Sequence, residues 1–286
     1  MTLVDDRPST LRTVQLELTG RCPLACQHCL TSSSPTTAHG SMTPADWLDV
    51  VDQVAAAGTP TVQLIGGEPT ASPAFGRVLE RALGLGRQVE VFSNLHFPAQ
   101  LWPVLDRPGV TLATSYYDTD PTVHDRVTGR AGSHARTRAR IVEALARHVP
   151  IRVEIIEVID GQNLDATRAE LLGLGLPADR IHVDRTRLVG RAAGGEAFDP
   201  GELCGRCGHG KAAVLPDGTL APCVMARALA AGDVRTAPLA ELLTREVWRA
   251  AVAAVPPRAS SGCSPDDSAC GPDSEACGPD YPEVGA

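Results

Sequence analysis

Three cysteines lie within the stretch Cys22–Cys29, which has the sequence CPLACQHC and follows an apolar segment, residues 13–18, that predicts a β-strand. Their spacing is C-x3-C-x2-C, and no fourth cysteine lies nearby. A structural zinc site normally closes with four ligands, commonly from paired C-x2-C arms. Three thiolates from one loop instead suit a four-iron cubane in which one iron stays open to an exogenous molecule. The alternative is a zinc site with His28 as the fourth ligand.

Composition limits the class of protein. The chain has 286 residues, of which 43% are hydrophobic, and a formal net charge of −8. That length allows one large α/β domain with a small appendage. An acidic balance without a run of Lys or Arg argues against a nucleic-acid partner.

The same composition bears on the compartment. Residues 1–10 lack the pattern of a signal peptide, and no apolar run is long enough to span a bilayer. We therefore expect a cytoplasmic protein with no membrane partner. Nine cysteines in such a chain indicate metal ligands rather than a disulfide framework.

Strand and helix signals alternate after the cysteine loop. Further strands are predicted over residues 61–65, 89–92, 110–115, 151–158 and 181–183, with helical stretches near 44–57, 75–85, 135–147 and 165–174. This alternation predicts an α/β fold of parallel βαβ units. Six units fit a partial (β/α)6 barrel of the TIM type, with its site at the carboxyl ends of the strands. Periodicity alone does not exclude an open doubly wound sheet, but no G-x-G-x-x-G follows the first strand.

Two polar motifs follow predicted strands directly. Gly66, Gly67 and Glu68 come after the strand at 61–65, where glycines allow close approach to a ligand and the carboxylate can accept from an ammonium group. Taken alone, this stretch would be a turn with a surface glutamate. Ser93 and Asn94 end the next strand, where such a pair also forms simple turns.

Together with the cysteine loop, these motifs resemble the radical S-adenosylmethionine (radical SAM) enzymes. The resemblance implies that Cys22, Cys26 and Cys29 hold a 4Fe–4S cluster whose open iron binds the amino and carboxylate groups of S-adenosylmethionine (SAM). Electron transfer then cleaves the sulfonium of SAM to a 5′-deoxyadenosyl radical. It further implies a set of SAM-binding residues. They are Gly66, Gly67 and Glu68 at the amino group, Ser93 and Asn94 at the ribose or carboxylate, and His28 beside the adenine as a packing ring.

The stretch after the fourth strand, residues 115–133, resembles members of that family with a SPASM-type C-terminal extension. Ser115 and Tyr117 are expected to face the cavity, with Ser115 among the residues that touch the cofactor or substrate. His124 is interpreted as a capped loop histidine. A later cluster of three arginines, Arg185, Arg187 and Arg191, is expected to be mostly a solvated basic face, with one member able to clamp a carboxylate.

A second cysteine group, Cys204, Cys207 and Cys223, surrounds a predicted hairpin with a Pro-Asp-Gly turn at residues 216–218. The pattern resembles the opening of SPASM and twitch extensions and implies one auxiliary iron–sulfur cluster; zinc is the alternative. A closed cluster needs a fourth thiolate, and Cys263 is the nearest candidate. The remaining cysteines, Cys270 and Cys277, are too few for a second four-thiolate cluster.

These patterns divide the chain into a radical SAM partial barrel (residues 1–195), a small SPASM- or twitch-like domain (196–262) and a tail rich in Cys, Pro and Gly (263–286). The resemblance implies an enzyme that modifies a ribosomally synthesised peptide by crosslinking, oxidation or epimerisation. Its partners would be the precursor peptide and an electron donor of the flavodoxin or ferredoxin type. The alternatives are a radical SAM dehydrogenase of a small molecule and a non-catalytic zinc-binding module.

Overall fold

A single eight-stranded sheet organises residues 11–257, the part of the chain that the computed structural model describes. Six parallel strands lie side by side in the order of the sequence: β1 (Thr13–Glu17), β2 (Thr61–Ile65), β3 (Gln88–Phe92), β4 (Val110–Tyr116), β5 (Ile151–Glu157) and β6 (Ile181–Arg185). A doubly wound sheet reverses its strand order at a switch point. This order from β1 to β6 has no reversal, so the predicted α/β partial barrel is confirmed.

The sheet continues beyond β1 into the second cysteine region. Strand β7 (Lys211–Val214) pairs in parallel with β1, and β8 (Leu220–Ala221) pairs antiparallel with β7. The predicted hairpin is therefore present, with Gly218 at a φ of 89° in its turn. The seventh parallel strand was not predicted. It joins the second cysteine region to the strand that leads into the cysteine loop.

The helices lie between successive strands and after the hairpin. They are α1 (Pro44–Ala56), α2 (Phe75–Gly84), α3 (Trp102–Leu105), α4 (Pro121–Thr128), α5 (Ser133–Ala146), α6 (Leu164–Gly173), α7 (Leu239–Leu242) and α8 (Glu246–Ala253). No helix in residues 11–257 has the length and apolar character needed to cross a bilayer.

Helix α4 corrects the sequence interpretation, which placed His124 in a loop. Asp120 caps the helix by accepting from the Thr122 N–H at 2.7 Å, Pro121 opens it, and Gly129 ends it at a φ of 67°. These are ordinary start and stop signals that were visible in the sequence. His124 is consequently a buried helical residue.

Successive side chains of each strand point to opposite faces of the sheet, so one face is apolar and the other is polar. Val14 and Leu16 of β1 pack outward into the core formed with α1 and α2, as do their neighbours on β2 and β3. The intervening side chains are buried and polar, and they form a hydrogen-bonded chain. Its links run from Gln15 to Gln63 at 2.6 Å, from Gln63 to Glu90, and from Glu90 to Arg152 at 2.9 and 3.0 Å. Pairing of this kind satisfies charges that would otherwise be costly to bury.

Candidate functional site

The cysteine loop and the GGE stretch pack directly against each other at the carboxyl ends of β1 and β2. Gly67 N donates to the Thr19 carbonyl at 2.7 Å, and Glu68 N donates to the Arg21 carbonyl at 2.9 Å. A Cβ at Gly67 would lie 2.5 Å from the Arg21 oxygen, and one at Gly66 would lie 2.6 Å from the Thr19 oxygen. The glycines are thus required where two backbones meet, which is a different reason from the ligand approach inferred from sequence.

Glu68 is the centre of a buried hydrogen-bond network. Its carboxylate accepts from the Ser93 hydroxyl at 2.9 and 3.0 Å, from the Asn94 N–H at 2.9 Å and from the Thr70 hydroxyl at 2.7 Å. The Asn94 side chain in turn donates through Nδ2 to Cys22 Sγ at 3.2 Å. Burial raises the pKa of Glu68, and these donors oppose that rise. Residues predicted separately from three loops therefore form one connected unit with the first cysteine.

The sulfurs of Cys22 and Cys29 face polar donors. Cys22 Sγ also accepts from the Leu24 N–H at 3.4 Å, and Cys29 Sγ accepts from the Ser33 N–H at 3.3 Å with the Thr31 hydroxyl also at 3.3 Å. Cluster thiolates are held and tuned by N–H and O–H donors of this type. The donor set and the polar surroundings of its sulfurs therefore fit an iron–sulfur cluster.

Burial controls the protonation of two of these thiols. It raises the pKa of Cys22 and of Cys26 to about 12 each. Without a bound cation both side chains stay neutral at physiological pH. Since a metal takes the thiolate, cluster assembly must release these protons.

Tyr117 connects the loop to the end of β4. Burial, with Cys26 as a neighbouring group, raises the pKa of its hydroxyl. Its ring packs edge-to-face on His28, with centroids 5.1 Å apart, and on His124 at 5.2 Å. Sequence reasoning placed Tyr117 at the cavity but did not connect it to the cysteine loop, because its contact with His28 joins residues 89 positions apart.

His28 is half-buried, and its ring packs on Tyr117; its predicted place beside the adenine stays a prediction. Burial lowers its pKa to about 4, so the ring is neutral at physiological pH. Its Nδ1 has no hydrogen-bond partner among the described residues. This buried polar atom at the loop is available to a bound group.

The three arginines after β6 have different roles from those expected. Arg185 pairs with Glu202 at 2.7 Å, and Arg187 pairs with Asp184 at 3.0 Å. Arg191 instead donates to backbone carbonyls of the cysteine loop. Sequence reasoning missed this role; its one local signal is the glycine that precedes Arg191.

The thiols of the second cysteine group also meet. The contacts of Cys207 with its neighbours Cys204 and Cys223, together with burial, raise the pKa of Cys207. The same contact with Cys207, aided by the charges of Lys211 and Arg187, lowers the pKa of Cys204 to about 5. In residues 11–257, no three His, Cys, Asp or Glu side chains surround a position for a single metal ion. Cys263, predicted as the fourth ligand, lies outside the described residues.

The second cysteine group is docked onto β1 by polar contacts. Val224 N donates to Gln15 Oε1 at 3.1 Å, and Arg227 pairs with Glu17. Val224 also belongs to a small apolar cluster with Leu30, the residue after Cys29. Leu30 follows Cys29 of the first cysteine group, and Val224 follows Cys223 of the second group. The two groups are therefore connected through this apolar cluster.

Comparison with known proteins agrees with this architecture. Residues 16–172 match the family model described as the Radical SAM superfamily. The chain is 31% identical over 173 residues to a PqqA peptide cyclase of Ruegeria pomeroyi, covering 58% of this chain and 45% of the relative. It is 32% identical over 179 residues to a PqqA peptide cyclase of Streptomyces rochei, covering 61% and 48% respectively. The chain therefore spans about half the length of these curated relatives.

Solved structures show the same fold. Streptococcus suis SuiB bound to S-adenosylmethionine superposes with a TM-score of 0.70 at 14% identity, covering 83% of this chain and 66% of SuiB. The protein anSMEcpe with bound AdoMet and Cp18Cys peptide gives 0.63 at 11% identity, covering 88% and 86%. The family match spans more than half of the residues, from the end of β1 to α6. The chain belongs to the radical SAM superfamily.

Proposed function

We propose that this chain is a radical SAM enzyme that modifies a ribosomally synthesised peptide by crosslinking, oxidation or epimerisation. The observation that carries the proposal is the hydrogen-bonded network that joins Cys22 to Glu68 through Asn94. It places a buried carboxylate beside Cys22, in the loop that also carries Cys26 and Cys29. Superfamily membership implies SAM and a 4Fe–4S cluster as cofactors, and these would supply a 5′-deoxyadenosyl radical that abstracts a hydrogen atom.

The residues of the chain would hold and orient these groups. Cys22, Cys26 and Cys29 would be the thiolate ligands. Glu68 would accept the ammonium group of SAM, since its carboxylate is anchored by Ser93 and the Asn94 N–H. A carboxylate positioned in advance loses little freedom on binding, which favours affinity.

His28 and Ser115 would contribute the remaining contacts. His28 has a neutral ring and an unsatisfied Nδ1, which suit packing and one hydrogen bond beside the adenine. Ser115 lies near the end of β4, and Gly66 and Gly67 directly follow β2. The buried surroundings of Cys22 and Glu68 would exclude water from the reacting groups.

We further propose an auxiliary iron–sulfur cluster at Cys204, Cys207, Cys223 and Cys263 in a SPASM- or twitch-like domain. Two cations near Cys204 favour thiolates there. Val255, close to the end of the described chain, packs with Cys207 and Cys223. The eight residues from Val255 to Cys263 can span up to about 26–29 Å when extended. The chain is therefore long enough to return a fourth thiolate to this group.

We propose three domains, residues 1–195, 196–262 and 263–286, with β7 joining the second domain to the barrel sheet.

The peptide substrate is supported by the relatives, which are named PqqA peptide cyclases, and by SuiB, whose structure has been solved with its precursor peptide SuiA. An electron donor of the flavodoxin or ferredoxin type would reduce the first cluster. Family membership favours these roles over a zinc-binding module.

The test is incubation of the anaerobically reconstituted chain with SAM, a reductant and the product of a short peptide gene adjacent to its own gene. We expect the peptide to change mass as 5′-deoxyadenosine accumulates. Deuterium on the modified peptide residue should appear in the 5′-deoxyadenosine. Formation of 5′-deoxyadenosine with oxidation of a small alcohol, and no change in the peptide, would contradict the proposal and favour the dehydrogenase.

A further inference from the structure

Arg191 lies on the short segment Gly190–Ala193 after β6, and its side chain reaches the cysteine loop. Its guanidinium donates through Nη1 to the carbonyl of Cys26 and through Nη2 to the carbonyl of Ser33. Its backbone N–H donates to the carbonyl of Cys29 at 2.9 Å. One residue therefore binds three carbonyls of the loop, and two of them belong to cysteines of the candidate cluster site.

Gly190 makes this approach possible. It has a φ of 59°, and a Cβ there would lie 2.3 Å from the Leu30 oxygen and 2.6 Å from the Cys29 oxygen. Residues other than glycine rarely adopt that φ, and backbone oxygens at these short distances can move away only at a high energetic cost. The segment and the loop are thus fitted to each other by contacts that a larger residue would break.

The opposite side of the loop is held by α4. The Ala25 N–H donates to the Thr128 carbonyl at 3.1 Å, and the Gln27 N–H donates to the Val127 carbonyl at 3.0 Å. These contacts act on the N–H groups of the loop, whereas Arg191 acts on its carbonyls. The loop between the first and third cysteines is therefore held from two elements.

We propose that Arg191 is a positioning residue for the cluster held by Cys22, Cys26 and Cys29, an inference that rests on the proposed function. The planar guanidinium of Arg191 donates to two carbonyls at once and so sets the shape of the loop. A lysine has a single ammonium group, which does not reproduce this geometry. The fixed positive charge of Arg191 stabilises the more negative, reduced state of the cluster and so raises the reduction potential.

Arg185 provides a matched control on the same segment of chain. Its guanidinium pairs with Glu202, its side chain is half-exposed, and its side-chain contacts are with Thr186 and Glu202 rather than with the cysteine loop. Arg185→Gln therefore removes one arginine close in sequence to Arg191 while leaving the carbonyls of the loop bound.

The test compares Arg191→Lys, Arg191→Gln and Arg185→Gln in the full chain after reconstitution. Two properties are measured for the cluster whose EPR spectrum changes on SAM addition: its rate of loss to a ferrous chelator, and its midpoint potential before SAM is added. We expect both Arg191 variants to lose the cluster about 10-fold faster or more, the usual scale for outer-shell partners. Only Arg191→Gln should shift the potential to more negative values, because Lys keeps the charge.

Cluster loss and potential in Arg191→Gln equal to those of Arg185→Gln would overturn the inference. If Arg191→Lys loses the cluster at the wild-type rate, the role of the planar guanidinium is overturned. If circular dichroism shows that Arg191→Gln does not fold, the Arg191→Lys variant alone decides the outcome. A wild-type chain without any SAM-responsive cluster would overturn the proposed function and this inference together. A SAM-responsive wild type with unaffected Arg191 variants would overturn the inference alone.

Discussion

At the scale of single residues, Glu68 and its neighbours show how a short motif becomes a site. Glu68 is 2% exposed, and its carboxylate oxygens accept from Ser93, Asn94 and Thr70. The positions of Glu68, Ser93 and Asn94 at strand ends could be predicted because carboxyl ends of parallel strands meet at one edge. The bond from Asn94 to Cys22 could not, since it depends on a side-chain orientation that no local pattern specifies.

Glu68→Gln should weaken SAM binding about 10- to 100-fold, because it removes a charge-assisted bond of about 1.5–3 kcal/mol. The amide of this variant would also point N–H groups at the hydroxyl and N–H donors from which the carboxylate now accepts. We therefore expect a lower melting temperature, while the cluster content stays unchanged. Equilibrium binding of SAM to the reconstituted chain measures the effect. Thr70→Val is the control, since it removes one donor and keeps the charge. SAM affinity that is equal in Glu68→Gln and Thr70→Val would contradict the assigned role.

Glu17 makes the stability of the chain depend on pH. Burial raises its pKa from 4.5 to about 7, against the opposing effect of Arg227. Because the folded state holds this proton more tightly than the unfolded state, stability is lost as the pH rises between those two values. The loss amounts to roughly 3 kcal/mol at 1.36 kcal/mol per pKa unit.

The comparison is between wild type and Glu17→Gln, unfolded in urea at about pH 5 and about pH 8. Other titrating groups cancel in the difference between the two proteins. We expect Glu17→Gln to gain stability relative to wild type as the pH rises. A difference that is constant with pH would show that Glu17 titrates normally in the folded state.

At the scale of elements, the cysteine loop is built between three neighbours: the GGE stretch, α4 and the segment after β6. The six barrel strands and helix α1 were predicted from the alternation of strand and helix signals, and the structure shows Thr43 capping α1 with Pro44 in its first turn. Pairing of β7 with β1 could not be predicted, because it joins residues about 200 positions apart without a local signal. Helix α4 could have been predicted from Asp120, which caps its start, and from Gly129 at its end. The sequence interpretation instead placed His124 in a loop.

Gly67→Ala tests the packing of the GGE stretch on the loop. Its Cβ would lie 2.5 Å from the Arg21 oxygen, so we expect a destabilisation of about 1–3 kcal/mol from forced backbone shifts. Cluster content should also fall. Gly76→Ala in α2 is the control, because a Cβ there meets nothing within 4 Å. That variant should change stability by less than about 1 kcal/mol. Thermal unfolding and iron analysis compare the two, and equal effects would argue against close packing at Gly67.

At the scale of the whole molecule, the second cysteine group is attached to the barrel rather than separate from it. Strand β7 extends the barrel sheet, Val224 bonds to Gln15, and Val224 packs in one cluster with Leu30. The cysteine spacing predicted that Cys204, Cys207 and Cys223 lie near one another, and Cys207 has both of the others as neighbours. Their role as ligands of one cluster stays a prediction. The spacing could not predict their attachment to β1, because buried polar residues such as Gln15 carry no signal of their partners.

Truncation tests the fourth ligand of the second group. A chain ending at Ala269 keeps Cys263 but lacks Cys270 and Cys277, whereas a chain ending at Gly262 lacks all three. We expect the longer chain to hold full iron and the shorter one to hold about four fewer irons per chain. Loss of iron in both would assign the ligand to Cys270 or Cys277. Full iron in both would show that this group needs no thiolate from residues 263–286.

The central claim is that Cys22, Cys26 and Cys29 hold the cluster that cleaves SAM. The most direct measurement is the yield of 5′-deoxyadenosine from SAM and dithionite, under anaerobic conditions, with wild type and with the variant in which these three cysteines are replaced by Ala. The account predicts 5′-deoxyadenosine from wild type and none from the triple variant, while the variant still retains iron at Cys204, Cys207 and Cys223. Undiminished 5′-deoxyadenosine from the triple variant would contradict it.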